Sequence, residues 1–216
     1  MTLHDPLLTS APEGPSDVAH GPHGSAAAHA ALPTAIPVAP GAAARAAAIE
    51  ALVPVLRTPR CLLRAPRLAD FDALHAIMAD DREGRMGGPR TPEESWGEFC
   101  AMTATWLLRG HGAWAIEHEG ETAGFVLIGT EPGDVEHELG WMLLPAFRGR
   151  GLATEAAAAA RDHAWAALAL PSLVSYVATG HAASERVAAR LGAVPDGTME
   201  GGQVTVWRHP RPEGAA

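Results

Sequence analysis

The residues best placed to do chemistry are Phe147-Arg148-Gly149-Arg150-Gly151-Leu152-Ala153-Thr154-Glu155. They separate an apolar stretch, Leu139-Gly140-Trp141-Met142-Leu143-Leu144, from an alanine-rich run between Glu155 and Arg161. Pro145 has no N–H to give to a ladder and closes the strand, while alanine is the strongest helix former. The order is therefore strand, glycine turn, helix. A turn of this kind leaves backbone N–H groups unpaired at the positive end of a helix dipole, an anion site suited to a phosphate or pyrophosphate. Gly149 and Gly151 allow a ligand close to the backbone, and Arg148 and Arg150 can add charge-assisted bonds.

Two other glycine-rich phosphate sites fail on the letters. A P-loop ends in Gly-Lys-Ser/Thr, and all 16 basic residues of this chain are arginine. A dinucleotide fold needs a third glycine, where this chain has Thr154, and an acid about 20 residues on, where it has Leu173-Val174-Ser175.

What fits is Arg148-x-x-Gly151-x-Ala153. This resembles the Arg/Gln-x-x-Gly-x-Gly/Ala signature of the GNAT superfamily of acetyl-CoA-dependent N-acetyltransferases. The longer string from Glu138-Leu139-Gly140-Trp141 through Pro145 to Ala156 is similar to the branch that holds the ribosomal-protein N-terminal acetyltransferases (the Rim type). Thr58-Pro59-Arg60-Cys61-Leu62-Leu63-Arg64 resembles that branch's opening Thr-x-Arg-Leu-x-Leu-Arg. His181-Ala182-Ala183-Ser184-Glu185-Arg186-Val187, with Leu191-Gly192-Ala193, resembles its Asn-x-x-Ser-x-x-Val … Leu-Gly-Phe.

The elements that must position the turn can be read in order. A strand over 60–66 precedes a helix from Phe71 to Met78, with Asp70 as its N-cap. A polar glycine-rich loop, 81–91, leads to a helix capped by Thr91, with Pro92 first and Glu94 completing a capping box. A hairpin joins 114–118 to 122–128, and a further strand runs from Val135 to Leu143. After the central helix come a strand at 173–178, a helix over 182–191 ending at Gly192, and a closing hairpin, 193–199 with 203–208. Meander strands with one crossover helix predict an α/β (α+β) mixed, mostly antiparallel sheet with helices on both faces. The resemblance implies the GNAT fold, its sheet splayed at the cofactor site.

It also implies site roles. The grip on the pyrophosphate is the segment Arg148, Gly149, Arg150, Gly151, Leu152, Ala153, Thr154. Trp141, Met142 and Leu143 offer a strand edge to the pantetheine amides, and His181 stands where the branch commonly carries an asparagine that bonds cofactor or water. An alkylammonium acceptor must lose a proton before it attacks, and Glu138 is the candidate base, the alternative being a solvated strand-end acid. Glu136 shares its face by alternation and His137 points away. Ser184 corresponds to the serine that protonates the leaving thiolate, or it is a helix cap; Tyr176 is a second candidate acid, or core. Trp96, Trp106 and Trp114 line an acceptor pocket or belong to the core.

Composition bounds the rest. Residues 1–50 are dominated by Ala, Pro, Gly, His and Ser and are expected to form a disordered arm, with a helix over 42–55 docking on the body. The domain is expected over 51–210, with 211–216 a tail. His4, His20, His23 and His29 are too irregularly spaced to predict a metal site. There is no signal segment and no long apolar span, and Cys61 and Cys100 stand apart, so the expected compartment is a reducing cytoplasm. A net charge of −9 argues against nucleic acid or anionic lipid and for an amine substrate. The expectation is acetyl transfer from acetyl-CoA as co-substrate to a primary amine, a small molecule or a protein N-terminus, by a monomer or homodimer without metal. The alternative is a non-catalytic acyl-CoA-binding regulatory module.

Overall fold

In the computed structural model, residue 34 and residues 37–212, apart from 86 and 132, are described. They fall in one unit, Leu32–Ala216. The first part of the expected arm, including His4, His20, His23 and His29, lies outside the described residues. Residues counted with that arm form the first helix, α1 (Pro40–Glu50), and Glu50 is paired with Arg67 of the body.

The remaining elements are β1 (Leu56–Arg57), β2 (Leu62–Arg64), α2 (Phe71–Ala79), α3 (Pro92–Arg109), β3 (Ala113–His118), β4 (Glu121–Gly129), β5 (Glu138–Leu143), α4 (Leu152–Ala166), β6 (Val174–Ala178), α5 (Ala182–Arg190), β7 (Val194–Met199) and β8 (Val204–Arg208). The sheet order is β1-β2-β3-β4-β5-β6-β8-β7, antiparallel everywhere except β5 against β6. Strand β1 was not foreseen, since two residues carry no period. Strand β5 starts at Glu138 rather than Val135, because the turn around Asp134 extends further than its proline and glycine indicated.

Alternation divides the core. Trp114 and Ile116 of β3 pack toward α4, whose alanines 156, 157, 160 and 164 are buried and let the helix lie close to the sheet. Ala113, Ala115 and Phe125 face α2 and α3, meeting Phe71, Leu74, Ile77 and Phe99. Helices thus cover both faces. Trp114 is fully buried and donates to the Pro54 carbonyl at 2.7 Å, with Trp106 edge-on to it at 4.7 Å. Both are core residues, not pocket lining. Trp96 packs edge-on against Phe71.

The capping box of α3 forms as the letters imply: Thr91 Oγ1 accepts from the Glu94 N–H and Glu94 accepts from the Thr91 N–H. Gly110, at φ 73°, ends the helix in the left-handed region. Asp70 behaves differently. It occupies the N-cap position of α2 but makes no side-chain cap there. Its carboxylate instead accepts from both ends of the buried Arg64 guanidinium at 2.7 and 2.9 Å, from Thr122 Oγ1 at 2.6 Å and from the Arg67 N–H at 2.7 Å. Arg64 also donates to Glu117 at 2.8 Å, tying β2, β3, β4 and the start of α2 together.

Burial alone would raise the Asp70 carboxyl, but Arg64, Thr122 and the Arg67 N–H outweigh it and hold the group below its ordinary 3.8. The stability it contributes is therefore present at neutral pH and lost as acid protonates it. Asp70→Ala leaves a buried guanidinium without its principal partner. Chemical denaturation at pH 7 should show a loss of about 3–5 kcal/mol; a loss below about 1 kcal/mol would mean the network is solvated.

Candidate active site

The sheet opens between β5 and β6. These neighbours share a single parallel register pair, Glu138 with Val174, whereas β5 pairs with β4 along its whole length from Gly129–Glu138 to Gly124–Leu143. Beyond the vertex, the edge of β5 that carries Gly140, Trp141, Met142 and Leu143 has no strand beside it on the β6 side. Ser175 Oγ donates to the Leu139 carbonyl at 2.6 Å and so fastens the two strands at the mouth of the opening. The edge expected to pair with pantetheine is thus the edge the splay leaves unpaired. Its position depends on Gly124: a Cβ there would meet the Met142 carbonyl oxygen at 2.1 Å, so only glycine lets β4 approach β5 at this point.

The glycine turn follows that edge. Gly149 and Gly151 take φ values of 74° and 81°, which residues with a Cβ rarely adopt. Gly151 is the N-cap of α4, and its carbonyl accepts the Glu155 N–H. No described residue accepts from the N–H groups of residues 149–154. This run of unspent donors at the N-terminus of a fifteen-residue helix is an anion cradle.

The two arginines of the turn are partly committed. Arg148 Nε donates to the Leu143 carbonyl at 3.0 Å, and the guanidinium lies 3.7 Å from Asp80. Arg150 stacks over the Phe147 ring and reaches His118 Nε2 at 3.0 Å. Arg148 therefore stands beside the end of the open strand edge, and Arg150 braces the turn from below.

At the vertex sits Glu138, half-buried. Loss of hydration, then the Glu131 and Asp134 carboxylates, push it up to about 8, against a downward pull from the Tyr176 backbone N–H. Glu136 is the opposite case: Arg208 grips it bidentately at 2.7 and 2.8 Å and holds it near 2, so it carries no proton to exchange at neutral pH. Burial first, then Asp134, Glu136 and Glu138, push the Tyr176 phenol above its usual range. Two carboxyls two positions apart are driven in opposite directions by their surroundings.

The start of α5 closes the far side. His181 is its N-cap residue without capping through its side chain; burial, then Arg85, with a further push from Arg148, lower its pKa, so the ring is neutral at physiological pH. Ser184 is half-buried in the first turn and makes no cap bond. The loop carrying Arg85 is organised by the buried Asp81, which accepts from the Arg85 and Gly88 N–H groups at 2.9 and 3.0 Å. The turn, the open edge, His181 and the 81–91 loop therefore converge, and Glu138 lies at the vertex beside Tyr176. Glu155 and Arg60, which meet at the turn, had no signal in the letters because long-range folding alone brings them together, and Glu131 and Asp134 act on Glu138 through the shape of the turn before β5. Among the described residues no group of three His, Cys, Asp or Glu side chains could hold a metal ion, and no helix is long and apolar enough to cross a membrane.

Residues 60–194 match the family described as an acetyltransferase (GNAT) domain. An acetyltransferase from Agrobacterium tumefaciens str. C58 superposes with a TM-score of 0.69 at 41% identity, over 73% of this chain and 95% of that one. RimJ of Mycobacterium smegmatis, in complex with CoA-disulfide, gives 0.55 at 24% identity over 72% and 84%. RimL, a ribosomal L7/L12 alpha-N-protein acetyltransferase in complex with coenzyme A, gives 0.58 at 19% identity over 72% and 97%.

The vertex makes a direct prediction about protonation. In a carbon-detected NMR titration of glutamate-labelled protein, one side-chain carboxyl should titrate with a midpoint near 8 and disappear from the Glu138→Gln spectrum. A Glu138 midpoint in the ordinary carboxylate range would show that the vertex is hydrated.

Proposed function

Because the chain belongs to the GNAT acetyltransferase family, we propose that it moves the acetyl group of acetyl-CoA to a primary amine by direct attack within a ternary complex. The observation that carries this reading is the vertex itself: a carboxyl raised to about 8, placed where an unpaired strand edge begins, with an anion cradle beyond the other end of that edge. Acetyl-CoA supplies an acetyl group activated as a thioester. The N–H groups of Gly149 to Thr154 would hold its pyrophosphate, and the backbone of Trp141, Met142 and Leu143 would pair with its pantetheine amides.

The acceptor reaches the site as an ammonium ion. Glu138 takes its proton, and a base with a pKa near the working pH is the efficient choice. The freed nitrogen lone pair attacks the thioester carbonyl carbon, the C–S bond breaks, and the departing sulfur takes a proton from the Ser184 hydroxyl. That hydroxyl is regenerated from solvent or from the amide nitrogen's surplus proton. Glu131 and Asp134 set negative charge beside the vertex, both acting on Glu138. Such surroundings favour a cationic acceptor, a small-molecule amine or a protein N-terminus. Cys61 is buried, and burial and Glu155 push its thiol up, which makes it a poor nucleophile and supports transfer without an acetyl-enzyme.

The test is calorimetric titration with acetyl-CoA followed by turnover on a panel of amines and N-terminal peptides. We expect saturable binding, and a rate that climbs on the acid side of its pH profile with a midpoint near 8. Glu138→Gln should cut kcat by about 10²-fold or more and erase that limb, leaving KM for acetyl-CoA within about threefold. Acetyl-CoA binding without transfer to any amine would instead make the chain a non-catalytic acyl-CoA-binding module.

A further inference from the structure

The anion cradle contains a contradiction. Glu155 lies in the first turn of α4, four residues from the N-cap, and its charge opposes any phosphate bound at that helix end. The structure resolves it with a segment that precedes the sheet's second strand. Glu155 Oε1 accepts from Thr58 Oγ1 at 2.6 Å and from the Arg60 N–H at 2.8 Å, and Oε2 accepts from Arg60 Nε and Nη2, both at 2.7 Å. The same guanidinium donates through Nη1 to the Arg150 carbonyl at 2.9 Å, inside the turn. A Cβ on Gly151 would lie 3.3 Å from Arg60 Nη2, so the group rests against the turn.

A second strut runs beneath. His118, buried in β3, faces the Arg60 carbonyl with Nδ1 at 2.9 Å and Arg150 Nη2 with Nε2 at 3.0 Å. A carbonyl accepts and a guanidinium donates, so Nδ1 carries the proton and Nε2 accepts. The neutral ring joins the two arginines without adding a third positive charge. The turn is thus held from below by one continuous chain: Glu155, Arg60, His118, Arg150, Phe147.

We propose that Arg60 is a positioning residue for the co-substrate's pyrophosphate: resting against the turn, it masks the Glu155 carboxylate so that the turn's N–H groups meet the anion unopposed. This rests on the acetyl-CoA reading of the turn. Arg60 acts through Glu155 and Arg150, and its guanidinium remains about half exposed on the rim. A carboxylate at a helix N-terminus is ordinarily favourable, but it competes with a bound anion for the same dipole and donors. A guanidinium fork across it removes that competition while keeping the stabilisation.

The experiment is a double-substitution cycle read by calorimetric titration of CoA into the full-length protein, with thermal unfolding beside it. Arg60→Met should weaken CoA binding about tenfold or more, the effect shrinking in high salt. Glu155→Gln, which keeps an oxygen for Thr58 and the Arg60 N–H, should bind CoA as well as or better than wild type. The double variant should return to within about threefold of wild type. If Arg60→Met does not fold, Glu155→Gln alone decides: a Kd raised tenfold overturns the masking. An unchanged Kd in Arg60→Met, or a double variant as weak as Arg60→Met, overturns it too, the latter by pointing to shape or direct contact. Failure of the wild type to bind CoA at all would remove the acetyl-CoA reading itself, a different result from any of these.

Discussion

The rest of the structure depends on a sheet that stops pairing. Strands β5 and β6 run parallel and meet at one register pair, Glu138 with Val174. A parallel ladder of that length contributes little, and the pair stays together because each strand is secured elsewhere: β5 by β4 along its length, β6 by β8 from Val174–Arg208 to Ala178–Val204. The Ser175 hydroxyl crosses the gap to the Leu139 carbonyl. His209 stands behind it at 2.9 Å, its Nε2 facing the Ser175 oxygen. That oxygen gives its hydrogen to Leu139, so His209 must donate and is neutral, as its pKa of about 4, set by burial and then by Arg161, requires. An opening in a sheet exposes unpaired amides, which is costly unless something pairs with them. Here the unpaired edge runs from Gly140 to Leu143, straight into the glycine turn.

The same break sets the electrostatics. A glutamate in the middle of a covered strand would need a partner, and one at a free strand end would be hydrated. Glu138 has neither condition in full. It sits at the vertex, half-buried, with Glu131 and Asp134 close enough to raise it further. Two residues earlier, Glu136 meets Arg208, which is also held by Asp196 at 2.5 Å. The ion pair that lowers Glu136 is supplied by β8 and steadied by β7, the last elements of the chain to be reached in sequence.

This explains what the letters disclosed. The turn from Phe147 to Glu155, the capping box of Thr91 and Glu94, and the αL end of α3 at Gly110 are local: their determinants lie within a few residues, so spacing alone exposes them. The mixed sheet with helices on both faces follows from alternation and element order. What was not legible arises from contacts across the chain. Asp70 reads as a cap and serves as the counter-ion of Arg64. Trp106 and Trp114 read as either pocket lining or core and prove to be core, a choice open in the letters because nothing in a tryptophan's neighbours tells which face of the sheet is solvated. The contacts of Arg150 with His118 and the Phe147 ring are likewise invisible in the letters. The raised carboxyl of Glu138 depends on Glu131 and Asp134, which only the turn before β5 folds back toward it.

The three arginines around the turn then divide its work by what each already touches. Arg150 meets His118 and the Phe147 ring, and Arg60 meets Glu155. Arg148 is joined to the Leu143 carbonyl by Nε alone, and its distant contact with Asp80 at 3.7 Å leaves the side chain about half exposed. A guanidinium has five donors in a rigid fork, so Arg148 retains most of its capacity while its anchor keeps it at the junction of strand edge and cradle. Its charge is also among those that lower the pKa of the His181 ring. Arg60 and Arg150 both hold the turn itself, Arg60 through the Arg150 carbonyl and Arg150 through His118 and the Phe147 ring.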